Sequence, residues 1–310
     1  MILQAGALAA ASLLIDTDPG KFTDDTAAIV MCLRSPARVA VRGLTVVSGN
    51  VWAQDGLRYL NASLDVIGRR ASVHLDSQRP LVHTVEMSKR EGQLEFAGAF
   101  AEPEPPQGHD TAIDFLIREL ELKPATVLAI GPLTNIARVL ERKPNIARRI
   151  ERIVIMGGNV DVPGNVTKAA EFNFWFDPEA ARVVLRSGIA KKVLVPLDVC
   201  NKAMVERRHF DQLVGVDTPV TRLYRESFGN DWPACLKKPD AKGYLWDELA
   251  AAYVLDRSIA TRVETRRLDV VTEFGPRYGA LVAGENAMDV VLDADAERAW
   301  AMVLRLLTAR

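Results

Sequence analysis

The chain has few of the residues that form disulfide cross-links in small domains or bind zinc. Its 310 residues include only three cysteines and four histidines. The cysteines are widely spaced, at Cys32, Cys200 and Cys235, which excludes a disulfide framework and favours a reducing compartment. No histidine forms a metal-spaced pair with another histidine, so the sequence offers no zinc site.

An excess of charge of either sign is also absent. The formal net charge is −1 and 48% of the residues are hydrophobic, which argues against a nucleic-acid-binding protein and against a disordered one. The apolar stretch Met1 to Leu14 faintly resembles the end of a signal peptide, but it lacks a basic segment and is too short to span a bilayer. We expect a cytoplasmic protein with no membrane or nucleic-acid partner, and periplasmic export is the alternative.

Apolar runs alternate with helical patterns along most of the chain, which is typical of a parallel sheet covered on both faces. The predicted strands cover 13–17, 39–47, 125–130, 153–156 and 193–197, the predicted helices cover 53–67, 110–120, 133–140, 178–187, 247–256 and 296–307, and short antiparallel strands are expected at 268–271, 278–282 and 288–292. The fold class is therefore α/β, with an open, mainly parallel Rossmann-like sheet and a small antiparallel addition near the C-terminus. We expect one domain spanning residues 1–310. Segments 86–109 and 225–243 are predicted to be long mobile loops that could cover a substrate.

The apolar run Leu13 to Ile15 leads directly into four carboxylates within ten residues: Asp16, Asp18, Asp24 and Asp25. Open α/β sheets bind ligands at the carboxyl ends of their strands. Carboxylates this close repel one another unless a cation lies among them, and oxygen ligands suit Ca²⁺ or Mg²⁺. The alternative is a helix cap at Thr23 with two acidic residues in the first turn. That alternative leaves Asp16 and Asp18 unexplained, so a metal or catalytic site is predicted.

Polar residues also follow later predicted strands, where a purely structural role would not require them. They are Asn50, the turn 131–135, Asn165, Glu171, Asn173, Asp198 and Asp247. Amide and carboxylate groups can each bind a sugar hydroxyl. The pattern therefore favours a polyhydroxylated ligand.

In chain order these segments resemble the nucleoside hydrolases, calcium-dependent N-ribohydrolases of nucleosides. The resemblance covers nearly the whole chain. It rests on the following motifs: Asp16-Thr17-Asp18-Pro19-Gly20 with Asp24-Asp25, Val47-Ser48-Gly49-Asn50, Ile130-Gly131-Pro132-Leu133-Thr134-Asn135, Met156-Gly157-Gly158, Gly164-Asn165, Ala170-Glu171-Phe172-Asn173, Asp177-Pro178-Glu179-Ala180-Ala181 and Trp246-Asp247.

The resemblance implies a role for each matching position. It implies that Ca²⁺ is bound by Asp18, Asp25, Asp247 and the backbone carbonyl of Ile130. Asp18 would also accept a proton from a metal-bound water. The predicted sugar contacts are Asp24, Asn50 and Asn173 at the ribose hydroxyls, Asn165 and Glu171 at the 5′-hydroxyl, and Met156 beside the ring. Asp16 would orient its neighbours.

Two departures from the family pattern stand out. Three residues, Lys21-Phe22-Thr23, separate Gly20 from the Asp24-Asp25 pair, where family members usually have one. The second departure is Trp246, which occupies the position of the histidine that protonates the leaving base in many members. A purine-preferring branch of the family also has Trp-Asp here, and in that branch the indole stacks on the base.

Trp246 is therefore predicted to be a catalytic residue that stacks on a purine, and the structural alternative is a buried core indole. That branch has a second tryptophan in its first lid region, whereas the aromatic residues between His83 and His109 are only Phe96 and Phe100. Trp52 and Trp232 could also reach the site. His83 and His109 lie near the predicted lids, but no histidine obviously replaces the missing acid.

The sequence thus predicts a calcium-dependent hydrolase in one catalytic domain, converting ribonucleosides, with purines preferred, into base and ribose. A homodimer or homotetramer is expected from the family. A second hypothesis is a nucleoside- or sugar-binding protein with weak or no activity. A third is a phosphatase whose nucleophile is the first aspartate of the Asp16-x-Asp18 pair. That chemistry needs a downstream lysine and an acidic pair, and the Asn165, Glu171 and Asn173 cluster argues against it.

Overall fold

The computed structural model describes residues 10–75, 79–93, 111–228 and 243–309, and strands alternate with helices through most of them. The strands are β1 Ala11–Thr17, β2 Val39–Val46, β3 Val73–Leu75, β4 Ala125–Ala129, β5 Ile150–Met156, β6 Lys192–Val195, β7 Met204–Val205, β8 Gly243–Tyr244, β9 Ala260–Val270, β10 Leu281–Ala283 and β11 Asn286–Ala294. The helices are α1 Asp24–Leu33, α2 Ala53–Val66, α3 Val85–Arg90, α4 Ala112–Leu122, α5 Thr134–Arg142, α6 Phe172–Phe176, α7 Pro178–Arg186, α8 Leu197–Cys200, α9 Arg207–Val214, α10 Pro219–Phe228, α11 Asp247–Leu255 and α12 Ala296–Thr308.

Nine of these strands form one sheet in the order β10-β9-β11-β6-β5-β4-β1-β2-β3. The pairs from β3 through to β11 are parallel, and β9 and β10 add antiparallel pairs at one edge. The predicted fold class is therefore confirmed. The strand order reverses between β1 and β4, and open α/β sheets bind ligands at such a switch point.

Strand β1 lies in the interior of the sheet, between β2 and β4, because its side chains are apolar on both faces. Leu13, Leu14 and Ile15 are fully buried. Leu13 and Ile15 pack into the core on one face, and Leu14 packs into the core on the other. Burial of such side chains contributes roughly 1.5–3 kcal/mol each, so β1 is a rigid platform for the polar residues that follow it.

Several element boundaries differ from the predictions for local reasons. Strand β6 ends at Val195 because Pro196 has no N–H to donate, and Asp198 lies in α8 instead. Strand β10 begins only at Leu281, after Gly279 turns the chain at a φ of +80°. Strand β9 extends back to Ala260 through residues that are mostly polar.

Both segments that were predicted to be mobile loops contain some helix or strand. Helix α3 lies in the first segment, α10 ends in the second, and β8 begins at its last residue. Residues 94–109 and 229–242 of these segments, including Phe96, Phe100, His109 and Trp232, lie outside the described residues, as does Cys235. In the described part of the chain no helix is long and apolar enough to cross a bilayer. The single-domain assignment stays a prediction.

Candidate active site and metal centre

A cavity of about 220 Å³ lies at the carboxyl ends of the central strands. Ten of the eleven residues assigned to the site from the sequence line it. They are Asp18, Asp24, Asn50, Ile130, Met156, Asn165, Glu171, Asn173, Trp246 and Asp247, joined by Val166 and Phe172. The remaining residue, Asp25, is fully buried behind the wall. The strand ends therefore meet as the topology requires.

Three carboxylates form the densest acidic group of the site. Oxygen atoms of Asp24, Asp25 and Asp247 lie within 4.8 Å of one another. Asp24 and Asp25 occupy the first turn of α1, and Asp247 occupies the first turn of α11. The positive ends of two helix dipoles thus face this cluster, which partly offsets the repulsion.

Asp25 is the most firmly held of the three. Its Oδ1 accepts hydrogen bonds from the Thr17 hydroxyl at 2.5 Å and from the backbone N–H of Asp18 at 3.2 Å. Its Oδ2 accepts from the Thr23 hydroxyl at 3.1 Å and from the Asn50 side-chain amide at 3.2 Å. Donors from three segments therefore fix the position of a carboxylate that is wholly out of contact with solvent.

Asp18 lies in a tight backbone cradle beside this group. Its Oδ2 accepts the backbone N–H of Asn50 at 2.7 Å. A Cβ atom on Gly49 would come 2.0 Å from Oδ2, and one on Gly131 would come 2.6 Å from Oδ1, so both positions require glycine. Asp18 is not a member of the 4.8 Å cluster, in which Asp24 takes its place. Its predicted role as a metal ligand stays a prediction.

Burial raises the pKa of every carboxyl in the cluster, and repulsion from neighbouring carboxylates adds to the shifts of Asp24 and Asp247. The pKa of Asp24 is raised to about 7 and that of Asp25 to about 6, first by burial. Burial also raises the pKa of Asp18 and of Asp247 well above the usual value, and neighbouring carboxylates add to both shifts. A divalent cation would relieve this repulsion, and an all-oxygen donor set fits Ca²⁺ or Mg²⁺.

Asp16 lies behind the cavity wall. It is fully buried, and its Oδ1 accepts hydrogen bonds from the Thr45 hydroxyl at 2.6 Å and the Asn135 amide at 2.8 Å. Its backbone carbonyl accepts the N–H of Ile130 at 2.9 Å. Asp16 therefore ties β1 to its two neighbouring strands, a geometry that suits the supporting role predicted for it.

The opposite wall is built on α6. Both carboxylate oxygens of Glu171 accept backbone N–H groups, from Gly158 at 2.7 Å and from Asn173 at 2.9 Å. The Asn173 amide donates to the carbonyl of Met156 at 3.2 Å and weakly, at 3.5 Å, to that of Ile130. The Asn165 side chain accepts the N–H of Phe172 at 2.9 Å. These bonds hold the polar groups of the wall in fixed orientations.

Trp246 both packs on the core and faces the cavity. It is partly exposed, it precedes the first residue of α11, and it contacts the main core cluster. Its Nε1 is buried without a hydrogen-bond partner in the described chain. The Tyr244 ring lies 6.0 Å from it, centroid to centroid. The stacking and core alternatives are therefore both compatible with its position.

No histidine lines the cavity among the described residues. His83 is buried, with Nδ1 3.2 Å from the carbonyl of Phe176 and Nε2 3.5 Å from a carboxylate oxygen of Glu91. His209 accepts the N–H of Glu206 at the start of α9. Which group protonates the leaving base is therefore not identified by the described residues.

Sequence reasoning missed Val166 and Phe172 as cavity residues and Thr17 and Thr23 as donors to Asp25. The position of Phe172 between Glu171 and Asn173 is the signal that could have identified it. The threonines belong to the same acidic motif, and only the tertiary arrangement shows which carboxylate each hydroxyl reaches.

Comparisons with known proteins agree with this geometry. The chain is 38% identical over 198 residues to an uncharacterized protein of Schizosaccharomyces pombe, a match that spans 61% of this chain and 62% of that protein. It is 34% identical over 261 residues to the pyrimidine-specific ribonucleoside hydrolase RihA of Citrobacter koseri, spanning 81% of each. The structure of a purine-preferring ribonucleoside hydrolase from Gardnerella vaginalis superposes with a TM-score of 0.77 at 26% identity, over 96% of this chain and 98% of that one.

The family profile covers nearly the whole chain. Residues 13–301 match the family described as inosine-uridine preferring nucleoside hydrolase. This match removes the basis for the phosphatase hypothesis, because the Asp16-x-Asp18 pair falls within the matched region. The chain therefore belongs to the inosine-uridine preferring nucleoside hydrolase family and is an N-ribohydrolase of nucleosides.

Proposed function

We propose that this hydrolase is calcium-dependent and prefers purine ribonucleosides, which it converts with water into free base and ribose. The observation that supports the proposal most directly is the cluster of the partly buried Asp24 with the buried Asp25 and Asp247. It adjoins a cavity with amide and carboxylate groups on one wall and an indole on another.

Asp25, Asp247 and the carbonyl of Ile130 would hold the metal, with Asp18 or Asp24 completing the protein ligands. When bound, Ca²⁺ would bind the ribose hydroxyls and lower the pKa of a bound water. A calcium ion accepts six to eight oxygens, so the protein donors leave room for sugar and water. Mg²⁺ demands a stricter octahedral geometry, which favours Ca²⁺ for this mixed set.

Asp18 is the proposed general base. Its carboxylate is held by the Asn50 N–H at 2.7 Å, and Asp18 lines the cavity. A carboxylate in that position can accept a proton from the attacking water. General base catalysis of this kind typically contributes about 10²–10⁴-fold to the rate.

The sugar would lie against the polar wall. Asn50 and Asn173 would bind ribose hydroxyls near the carboxylate cluster, and Asn165 and Glu171 would bind the 5′-hydroxyl. Cleavage of the ribosyl C–N bond develops positive charge on the sugar. Carboxylates in a water-poor cavity stabilise that charge more than they would in water.

Trp246 is the proposed base-stacking residue. Its indole is aromatic surface on a cavity wall, and stacking on a nucleobase is worth roughly 1–3 kcal/mol. A purine presents a larger face than a pyrimidine does, which is the physical reason for the proposed preference. The similarity to a pyrimidine-specific relative argues against a purine preference, whereas the similarity to the structure of a purine-preferring hydrolase supports one. Base preference is therefore the first property to measure.

The test is a steady-state comparison of inosine, guanosine, uridine and cytidine, with enzyme stripped by EDTA and reloaded with Ca²⁺. We expect activity to return with Ca²⁺ and kcat/KM to be higher for inosine than for uridine. A higher value for uridine would overturn the purine preference. Full activity in excess EDTA would overturn the calcium dependence.

A nucleoside-binding protein with little turnover is the second candidate. The observation that favours it is the absence of any histidine from the cavity lining in the described residues. Calorimetry with inosine decides between the two, since binding without release of hypoxanthine after prolonged incubation would establish this alternative.

We further propose that the protein acts in the cytoplasm as a homodimer or homotetramer, in keeping with the family resemblance. Light scattering on the purified full chain tests the oligomeric state, and a monomer at micromolar concentration would overturn it. Fractionation of the source cells tests the location.

A further inference from the structure

The segment Lys21-Phe22-Thr23, two residues longer than its usual counterpart in the family, lies between β1 and α1, directly before the acidic cluster. Extra residues in a loop add conformational freedom, which must be lost when the loop binds a ligand. A longer metal loop is therefore expected to bind metal more weakly unless something holds it in place.

Phe22 supplies a contact that could hold this loop. Its side chain is 2% exposed, whereas Lys21 beside it is exposed. The Phe22 ring meets the ring of Tyr224 edge to face, with centroids 4.8 Å apart and planes inclined by 62°. Edge-to-face pairs add attraction beyond the burial of area, so the insertion docks onto α10.

Tyr224 extends the contact to the second metal-binding helix. Its hydroxyl lies 3.5 Å from Oε1 of Glu248, which follows Asp247 in the first turn of α11. Glu248 is 5% exposed, and its Oε2 has no hydrogen-bond partner in the described chain. Tyr224 therefore lies between the loop that precedes Asp24 and Asp25 and the helix that begins with Asp247.

Thr23 completes the connection on the cluster side. Its hydroxyl makes no capping bond to the α1 backbone and donates instead to Oδ2 of Asp25 at 3.1 Å. The Phe22 side chain thus contacts α10, whereas the Thr23 hydroxyl contacts a carboxylate of the cluster.

We propose that Phe22 and Tyr224 are positioning residues, which dock the enlarged metal loop onto α10 and so preorganise the carboxylates for the cation. The inference concerns the calcium site and therefore rests on the proposed function. Its physical basis is that a loop already ordered loses less conformational entropy on binding. Among the described residues, neither side chain lines the cavity.

Calcium titration calorimetry on the full-length protein tests this role. We expect Phe22→Ala to weaken Ca²⁺ binding by about tenfold, as the loss of one aromatic pair implies, and Phe22→Leu to recover part of the affinity. Tyr224→Phe keeps the ring and removes the hydroxyl that lies 3.5 Å from Glu248, so its effect should be below about threefold. Lys21→Ala is the matched control in the same loop and should bind as wild type does.

Two further controls separate positioning from general stability. Phe115→Ala truncates a ring of similar burial in the core on the other face of the sheet, and should lower the melting temperature without changing Ca²⁺ affinity. Tyr224→Leu removes the same ring pair from the half-buried partner and provides the measurement if Phe22→Ala does not fold. In steady-state assays at saturating Ca²⁺, KM for inosine should stay within about twofold of wild type, because cavity contacts are intact.

Hydrogen exchange on the metal-free protein gives a readout that does not need calcium. Tyr224→Leu should increase deuterium uptake in the peptide covering residues 18–26, and Phe115→Ala should not. Unchanged Ca²⁺ affinity in both Phe22→Ala and Tyr224→Leu would overturn the proposal, as would unchanged uptake in that peptide. Failure of the wild type to bind Ca²⁺ would instead overturn the calcium assignment, and the exchange experiment would then decide the docking role alone.

Discussion

The backbone N–H of Asn50 donates a hydrogen bond to the Asp18 carboxylate at 2.7 Å, while the Asn50 side chain donates to Asp25 at 3.2 Å. Asn50, four residues after the end of β2, thus fixes two acidic side chains that follow β1. Since β1 and β2 are paired in parallel, this link depends on the register of the sheet. It places the proposed base and a proposed metal ligand at a fixed separation.

Asp18 and Asp25 should respond differently to the same substitution. We expect Asp18→Asn to lower kcat by about 10² or more, because an amide cannot accept the proton. Asp25→Asn should weaken Ca²⁺ binding more than Asp18→Asn does, because Asp25 belongs to the 4.8 Å carboxylate cluster. Calorimetry and initial rates on both variants check this, with the exposed Asp211→Asn as control. Equal losses of Ca²⁺ affinity would show that Asp18 is as important a ligand.

The cradle around Asp18 predicts a strong effect of one added methyl group. In Gly49→Ala the new Cβ would lie 2.0 Å from Asp18 Oδ2, so the carboxylate must move. We expect kcat/KM to fall by at least about tenfold, because small displacements of a catalytic group are costly. Gly188→Ala is the matched control, since its Cβ would meet only Ala147 at 3.9 Å. Near-wild-type activity in Gly49→Ala would show that the position of Asp18 is not critical.

Trp246 should determine base preference. Loss of stacking in Trp246→Ala should reduce kcat/KM for inosine by roughly 5- to 150-fold, the equivalent of about 1–3 kcal/mol, and should reduce it less for uridine. Trp246→Phe should retain an intermediate value. Trp300→Phe, a change in α12 next to Gln212, is the control. Equal losses for both nucleosides would indicate that the indole only supports the core.

Calcium should stabilise the protein more as the pH rises. Burial raises the pKa of Asp24 to about 7 and of Asp25 to about 6, above the value of roughly 3.8 in an unfolded chain. The metal-free folded protein therefore binds more protons than the unfolded chain does. Protonation of these buried groups contributes to the stability of the fold, fully below pH 4, and this stabilisation is lost as the pH rises through about 7. Bound Ca²⁺ offsets the repulsion of the ionised groups.

Melting temperatures measured in EDTA and in Ca²⁺ between pH 5 and pH 8 check this expectation. The increase in melting temperature that Ca²⁺ produces relative to EDTA should become larger toward pH 8. Asp25→Asn should reduce it, because one ionisable group and one ligand are removed together. A difference that is constant across this range would contradict the assignment of the cluster as the cation site.

Much of the architecture and of the site followed from local patterns. Continuously apolar runs such as Leu13 to Ile15 have few stable positions other than the centre of a covered sheet. Because parallel strands end at one edge, residues far apart in sequence, such as Asn50 and Asp247, could be expected in one cavity. Boundaries were less predictable, since Pro196 and Gly279 shifted them by a few residues.

The sequence by itself determined that this chain is an α/β nucleoside hydrolase with an acidic site at the strand ends, because those features depend on hydrophobic periodicity and on motif order. Only the tertiary structure decided how closely the carboxylates approach one another, with oxygens of Asp24, Asp25 and Asp247 within 4.8 Å of one another. It also decided that Phe22 packs on Tyr224. Such contacts depend on distances between elements that are remote in the chain, and side-chain packing in three dimensions sets those distances.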